Sequence, residues 1–80
     1  MNNDVELVLS MVRAELMRAQ AKHPLFNSPH EGHSVIREEL DELWDHVKAD
    51  TGRSPAAIKE AIQIAAMGAR YALCFGNFDD

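Results

Sequence analysis

The fold of this chain is decided by residues 54–76, which read SPAAIKEAIQIAAMGARYALCFG. Ser54-Pro55 is a typical helix start and Gly76 a natural helix stop, so the stretch predicts a helix from Pro55 to about Phe75. At about 100° per residue, its apolar side chains occupy two nearly opposite faces. The first face holds Ile58, Ile62, Ala65, Ala69 and Ala72, and the second holds Ile64, Met67, Tyr71 and Phe75. Because a helix that is apolar on two sides needs two partners, we predict that it is central and that a second chain covers part of it.

A first helix is predicted near the start of the chain. Asn3 or Asp4 can cap it, and it runs to about Lys22, because the residue before Pro24 is disfavoured in helical geometry. Its apolar residues recur at spacings of three and four and form one stripe, namely Val5, Val8, Leu9, Val12, Leu16 and Ala19. Residues 23–29 then form a loop.

A second helix follows this loop. Ser28, Pro29 and Glu31 match a capping box with proline at the first helical position. The helix is therefore predicted to start near residues 29–34 and to run to about Ala49, where the sequence Asp-Thr-Gly stops it.

No segment alternates polar and apolar residues, so no strand is predicted, and no linker divides the chain. The sequence predicts an all-α fold with a single domain over residues 1–80. In this fold an N-terminal helix precedes a helical hairpin, and dimerisation completes a helical bundle. A monomer of this size buries only about 60–65% of its unfolded surface, which favours self-association. The alternative is a self-contained three-helix bundle with some exposed Met and Phe side chains.

The net charge of −5 comes from 13 acidic and 8 basic residues. The excess of acids is confined to residues 31–50. An acidic chain argues against binding to nucleic acid polymers and to anionic membranes, since both require clustered Lys and Arg. A lone Cys74, together with the lack of a leader-like segment and of an apolar run of about 20 residues, predicts a soluble cytoplasmic protein.

The acidic residues of the second helix fall on two sides of it. The predicted core stripe is Ile36, Leu40, Leu43, Trp44 and Val47, and the predicted solvated side carries Glu38, Asp41 and Asp45. Glu39 and Glu42 lie instead on the flank of the core stripe, one turn apart. Like charges at this spacing destabilise a helix unless something positive lies between them.

Glu60 adds a third carboxylate, on the Ile64/Met67 face of the third helix. A carboxylate on an apolar face is unfavourable alone and is usually paired or bound to a metal. Glu39, Glu42 and Glu60 between two packed helices would form a hard oxygen site suited to Mg²⁺ or Mn²⁺. The alternative is that Glu60 bridges to a lysine or an arginine.

Two stretches of the chain resemble the MazG-like all-α nucleoside triphosphate pyrophosphohydrolases, and most of all their short, phage-type members. The stretches are residues 30–44, HEGHSVIREELDELW, and residues 60–67, EAIQIAAM. The family pattern is Glu-Glu-x-x-Glu on one helix and Glu-x-x-Asp on the next. Residues 38–42 match the first half in full, whereas residues 60–63 match only the first position of the second half. The resemblance covers roughly residues 28–75.

The resemblance implies that Glu39, Glu42 and Glu60 hold Mg²⁺. It implies for Glu38 a role as an additional ligand or as the base that positions water. Members of the family cleave a nucleotide between its α- and β-phosphates, releasing nucleoside monophosphate and pyrophosphate, and assemble as dimers or tetramers. The expected substrate is therefore a single metal-chelated nucleotide, and the expected assembly is a homodimer or a higher homo-oligomer. Gln63 stands where the family has Asp, so weak or altered activity is expected.

Three polar residues of the third helix share one stripe and are candidates for substrate binding, namely Gln63, Lys59 and Arg70. For Lys59 and Arg70, a role as surface charges is an equal alternative. His30 and His33 could bind zinc, but no further His or Cys pair completes a tetrahedral site. The alternative function is a catalytically inactive helical dimerisation or binding module on the same fold, which Gln63 and the small size of the chain favour.

Overall fold

A computed structural model describes residues 3–78 of the chain, which form three α-helices. Helix α1 spans Asn3–Lys22, α2 spans Pro29–Asp50 and α3 spans Pro55–Phe75. No strand occurs in this range, so the all-α fold predicted from the sequence is confirmed. Within the same range, no helix has the combination of length and apolarity that crossing a membrane requires.

Serine residues cap the starts of the last two helices, as the sequence predicts. The Oγ atoms of Ser28 and Ser54 each accept a hydrogen bond, at 3.1 Å, from the backbone N–H three residues later. These bonds satisfy donors that the first helical turn leaves unpaired. At the end of α2 the chain turns through Thr51 and Gly52, whose φ angles are 72° and 76°. This left-handed conformation is free of strain only for glycine.

Helix α3 lies between the other two helices, which do not pack against each other. Gly32 near the start of α2 lies against Tyr71 near the end of α3, so these two helices are antiparallel. Gln20 near the end of α1 accepts a hydrogen bond from Arg70 near the end of α3. The middle of α1 and the first part of α3 line a common groove. Helices α1 and α3 are therefore parallel. The predicted central position of the third helix is confirmed.

The core of the protomer is small. Its buried side chains are Ala19, Phe26, Ala66 and Met67, and the half-buried residues that pack against them are Val12, Leu16, Val35, Ile36, Tyr71 and Cys74. Phe26 belongs to the loop of residues 23–28, so this loop fastens the ends of α1 and α2 onto α3.

The face of α2 that packs against α3 differs from the predicted one. The buried and half-buried residues of α2 are Gly32, Val35, Ile36, Glu39, Leu43 and His46. Leu40 and Trp44, which the periodicity predicts to be core, are 52% and 57% exposed. The close approach of Gly32 to Tyr71 turns the flank that carries Glu39 toward α3. The packed face is therefore rotated by about 70° from the predicted stripe, and Ile36 and Leu43 belong to both. Leu40, Trp44 and Val47 point to a side that α1 cannot reach, because α1 lies on the other side of α3.

A Gly32→Ala substitution is expected to destabilise the fold. An added Cβ would lie 2.7 Å from Cδ2 of Tyr71 and 3.0 Å from Cδ2 of Phe26. Overpacking of this kind costs about 1–3 kcal/mol, which on average exceeds the ~1 kcal/mol that alanine gains over glycine inside a helix. Chemical denaturation should therefore give a lower free energy of unfolding for the variant.

Gly68→Ala is the matched control, because an added Cβ at Gly68 meets nothing within 4 Å. This substitution should raise the free energy of unfolding by about 0.5–1 kcal/mol. Equal effects of the two substitutions would contradict the close packing of α2 on α3 at Gly32.

Candidate metal and substrate site

Three carboxylates meet where α2 crosses the first half of α3. Glu39 and Glu42 lie one turn apart on α2, and the antiparallel arrangement of the helices brings Glu60 of α3 against both. Oxygen atoms of the three side chains all lie within 4.8 Å of one another. The trio predicted from the sequence is therefore brought together, and we call it the Glu cluster.

No lysine or arginine neutralises the Glu cluster among residues 3–78. The ion pairs of this part of the chain are Arg18–Glu15, His46–Asp50 and Lys48–Asp45. The alternative in which Glu60 bridges to a basic residue is therefore not what the structure shows. Asp45, by contrast, has the expected surface partner, with its Oδ1 atom 3.5 Å from Nζ of Lys48.

Crowding of the carboxylates changes their acidity. Burial is the main cause that raises the pKa of Glu39 from 4.5 to about 7, followed by a hydrogen bond with Glu60 and repulsion from Glu60, Glu42 and Glu38. The pKa of Glu42 is also raised, chiefly by a hydrogen bond with Glu60. A cation held among these oxygens would lower both pKa values, because an opposite charge favours the ionised form.

Gln63 lies in contact with two members of the Glu cluster. In the orientation that satisfies its neighbours, its amide nitrogen donates to Oε2 of Glu39 at 2.7 Å and to Oε1 of Glu60 at 3.2 Å. The amide thus takes the place of a cation toward these two carboxylates in this arrangement. To serve as a metal ligand, Gln63 would have to turn its amide so that the oxygen faces the cluster.

A cavity of about 380 Å³ adjoins the Glu cluster, between α1, the loop of residues 23–28 and the α2–α3 pair. Two residues that line this cavity connect it to the Glu cluster. Glu39 is a member of the cluster, and Gln63 contacts two of its members. Its lining includes the apolar side chains of Phe26, Val35 and Met67 and the polar side chains of Arg18, His23 and Asn27. We call this cavity the loop pocket. A ligand in it would reach the carboxylates through Glu39.

Arg70 forms part of the wall of the loop pocket and is only 3% exposed. Its Nε donates to Oε1 of Gln20 at 2.8 Å, and its Nη2 donates to the carbonyl oxygen of Pro24 at 2.8 Å. The guanidinium also lies 4.8 Å from the ring centre of Phe26. Arg70 is therefore neither a surface charge nor a freely mobile cation. It holds the loop to α3 and so shapes the pocket.

The structure does not bring the other predicted residues to the loop pocket. Lys59 is exposed and lines a separate groove between α1 and α3. Glu38 is exposed and lines a shallow cleft with His33 and Arg37, although its charge still acts on Glu39. His30 is exposed as well. In the described part of the chain, the Glu cluster alone groups three His, Cys, Asp or Glu side chains close enough to hold a metal ion.

Several residues of the loop pocket were not identified from the sequence. His23, Asn27 and Glu31 belong to a stretch that the sequence indicates only as a loop and a helix start. Oε1 of Glu31 accepts a hydrogen bond from the backbone N–H of Asn27 at 2.6 Å, which orders this corner. The sequence feature that could have indicated this part of the pocket is Phe26, because an aromatic side chain in a short loop indicates that the loop packs against the core.

Comparison of the chain with protein-family models, with curated proteins and with solved structures finds no match. Its function must therefore be inferred from the residues of the site itself.

Proposed function

We propose that this protein is a Mg²⁺-dependent nucleotide pyrophosphohydrolase of the MazG-like type, which cleaves (d)NTP-type nucleotides to nucleoside monophosphate and pyrophosphate. The observation that carries this function is the unneutralised Glu cluster, in which three carboxylates lie within 4.8 Å of one another beside a pocket of about 380 Å³. Such a cluster attracts a hard divalent cation, which could also be Mn²⁺.

The donor set of the cluster fits this cation. All three side chains offer carboxylate oxygens. Burial of Glu39 and the closeness of Glu60 to Glu42 are the main causes that raise the pKa values of these two groups, and a bound cation would offset both. Bound Mg²⁺ would neutralise phosphate charge and make water more acidic. Glu39, Glu42 and Glu60 would hold the cation.

Glu39 is the residue of this chain best placed to orient the attacking water, because it alone among the three cluster members lines the loop pocket. Glu38 faces a different cleft and would act on the reaction only through its charge. In the reaction the water oxygen would bond to the α-phosphorus, the bond from this phosphorus to the oxygen that bridges the α- and β-phosphates would break, pyrophosphate would leave, and the carboxylate would take the proton that the water loses. A carboxylate that accepts a hydrogen bond from this water directs its lone pair at phosphorus.

The loop pocket is the place for the nucleoside part of the substrate. Phe26 and Met67 offer apolar surface to a base or sugar, and Asn27 offers an amide near them. Ligand pockets commonly combine mostly apolar walls with a few polar groups that fix orientation. Arg18, which also lines this pocket, is a candidate for contact with phosphate, although Glu15 already pairs with it.

A homodimer or higher homo-oligomer is part of this proposal. Large apolar side chains are exposed on all three helices, including Leu9, Trp44 and Ile58. Burial of such surface between copies would supply stability that the small core of one protomer lacks.

The test is incubation of the protein with a panel of canonical and modified nucleotides in the presence of Mg²⁺ or Mn²⁺. Pyrophosphate release that disappears on addition of a chelator would support the function. No release from any nucleotide at high protein concentration would exclude catalysis.

A second candidate function is a helical dimerisation or binding module without catalysis. The contact of Gln63 favours it, because the amide nitrogen already satisfies Glu39 and Glu60 without a cation. Such a module would show no specific change in thermal stability on addition of Mg²⁺ or Mn²⁺.

Gln63→Asp is expected to strengthen cation binding. An aspartate at this position would replace a hydrogen-bond donor to Glu39 with a fourth carboxylate, and added ligand charge raises divalent cation affinity, here by about tenfold. Calorimetric titration with Mn²⁺ would measure the change. An affinity that stays the same or falls in the Asp variant would contradict a cation site at this position.

A further inference from the structure

The first half of α1 projects beyond the rest of the protomer. Every residue from Asn3 to Met11 is exposed, and we call this segment the α1 overhang. At 1.5 Å per residue, it extends for about 13 Å. Its side chains Val5, Val8 and Leu9 continue the same stripe that packs against the core further along α1, yet they are 63%, 47% and 55% exposed.

The overhang gains little stability from packing within the described part of the protomer, since all of its residues are exposed. Its turns continue those of the rest of α1, but a helix in a protein draws most of its stability from packing of its apolar face. Met11, at the end of this segment, lines a groove with the first half of α3, and α2 does not pack against α1. The apolar stripe of the overhang therefore faces a space that the chain itself does not fill.

A groove that suits the overhang begins where the overhang ends. The groove has a volume of about 710 Å³ and lies between α1 and the first half of α3. Met11, Ile58 and Ile62 give it apolar walls, and Arg53 and Lys59 give it positive charge. The overhang carries the complementary features, since Asp4 and Glu6 accompany its apolar stripe.

The exposed area of the protomer agrees with a missing partner. Its accessible surface is 5949 Å², whereas a folded monomer of 8.9 kDa exposes about 4,800 Å². The difference of about 1,100 Å² is larger than the ~800 Å² that each partner buries in an interface of standard size.

We propose that a second copy of this chain covers both surfaces, with the α1 overhang of each copy lying in the α1–α3 groove of the other. Met11 ends the overhang and lines the groove. A two-fold axis near Met11 would therefore let two antiparallel α1 helices make both contacts at once, which is the requirement of a closed, symmetric dimer. This interface gives the homo-oligomer of the proposed function a definite surface, and it does not depend on catalysis.

Val8→Asp tests the interface, with Leu7→Asp as its control. Both residues are exposed on the same turn of the overhang, but Val8 lies on the stripe and Leu7 on the opposite side of the helix. Analytical ultracentrifugation should show a dimer for the wild type and for Leu7→Asp. For Val8→Asp the dissociation constant should rise at least about 100-fold, because a two-fold interface contains the substitution twice. Circular dichroism checks that the helices of each variant remain folded.

A charge exchange gives a second measurement. Lys59→Glu should weaken the dimer, and adding Asp4→Lys to it should restore part of the affinity, because the pair of opposite charges is re-formed across the interface.

Three results would contradict or reassign this interface. A wild type that stays monomeric at a protein concentration on the order of 10⁻⁴ M would overturn both the oligomer and its interface. If the wild type is a dimer and Val8→Asp is a dimer as well, this interface is wrong although the oligomer is correct. If the dimer is then lost in Trp44→Ser, the interface between the two copies lies on the exposed apolar stripe of α2. None of these results bears on hydrolysis, which the nucleotide assay tests separately.

Discussion

Glu39→Gln is expected to lower metal-dependent nucleotide hydrolysis by at least about 100-fold. Glu39 belongs to the Glu cluster and also lines the loop pocket, so in the proposed reaction its charge would act on both the cation and the attacking water. Glutamine has nearly the same size, and the substitution therefore removes a charge without opening a cavity. Steady-state measurement of kcat/KM with Mg²⁺ would give the effect.

Asp45→Asn is the matched control for this substitution. Asp45 lies on the same helix, its side chain is 71% exposed, and its partner is Lys48 on the surface. Asp45 is not a member of the Glu cluster and does not line the loop pocket, and its charge is the smallest of the causes that raise the pKa of Glu42. Hydrolysis by this variant should therefore stay within about twofold of the wild type. Equal losses in the two variants would mean that the effect reflects the net charge of α2 and not the site.

The second large effect concerns stability without metal. Between pH 4.5 and about 7, the folded protein binds more protons than the unfolded chain, because the pKa of Glu39 is raised from 4.5 to about 7 on folding. Stability from this group is present at low pH and is lost as the pH rises through 7. The loss should be on the order of 1–2 kcal/mol, after allowance for solvent screening at this half-buried group. Thermal melting in a chelator at pH 5 and at pH 8 would measure it.

Addition of Mg²⁺ or Mn²⁺ should reverse this loss. At a free cation concentration 100 times the dissociation constant, binding stabilises the folded state by about 2.7 kcal/mol, which raises the melting midpoint by roughly 10–20 °C. The increase should be larger at pH 8 than at pH 5, since the carboxylates must be ionised to bind. In Glu39→Gln the metal-free protein should melt higher than the wild type at pH 8, and the response to cation should shrink. A midpoint insensitive to both pH and cation would leave the cluster without a role in binding.

Local signals made the helices predictable from the sequence. Ser28 and Ser54, each followed by proline, cap α2 and α3 as expected, and Gly76 ends α3. These features depend on a few adjacent residues, so no information about partners is needed. Helical spacing also singled out the three carboxylates, because it places Glu39 and Glu42 one turn apart beside the apolar stripe of α2 and Glu60 on an apolar face of α3.

The side of α2 that packs against α3 was not predictable, and neither was the role of Arg70. Leu40 and Trp44 have the spacing of core residues, but only the tertiary arrangement decides whether a neighbour covers them. Arg70 has the sequence context of a surface cation, yet the loop of residues 23–28 folds over it and supplies the carbonyl of Pro24. Contacts between residues far apart in the chain therefore determine both outcomes, and helical periodicity carries no record of them.

The most direct test of the account is Mn²⁺ binding, measured by electron paramagnetic resonance at pH 8, in the wild type and in Glu60→Gln. Glu60 contributes to the Glu cluster from the opposite helix and does not line the loop pocket, so this substitution tests the proposed cation site without altering the proposed substrate pocket. We expect saturable binding to a single class of site in the wild type and an affinity lower by at least about tenfold in Glu60→Gln. Absence of saturable binding in the wild type, or the same affinity in both proteins, would contradict the proposed cation site.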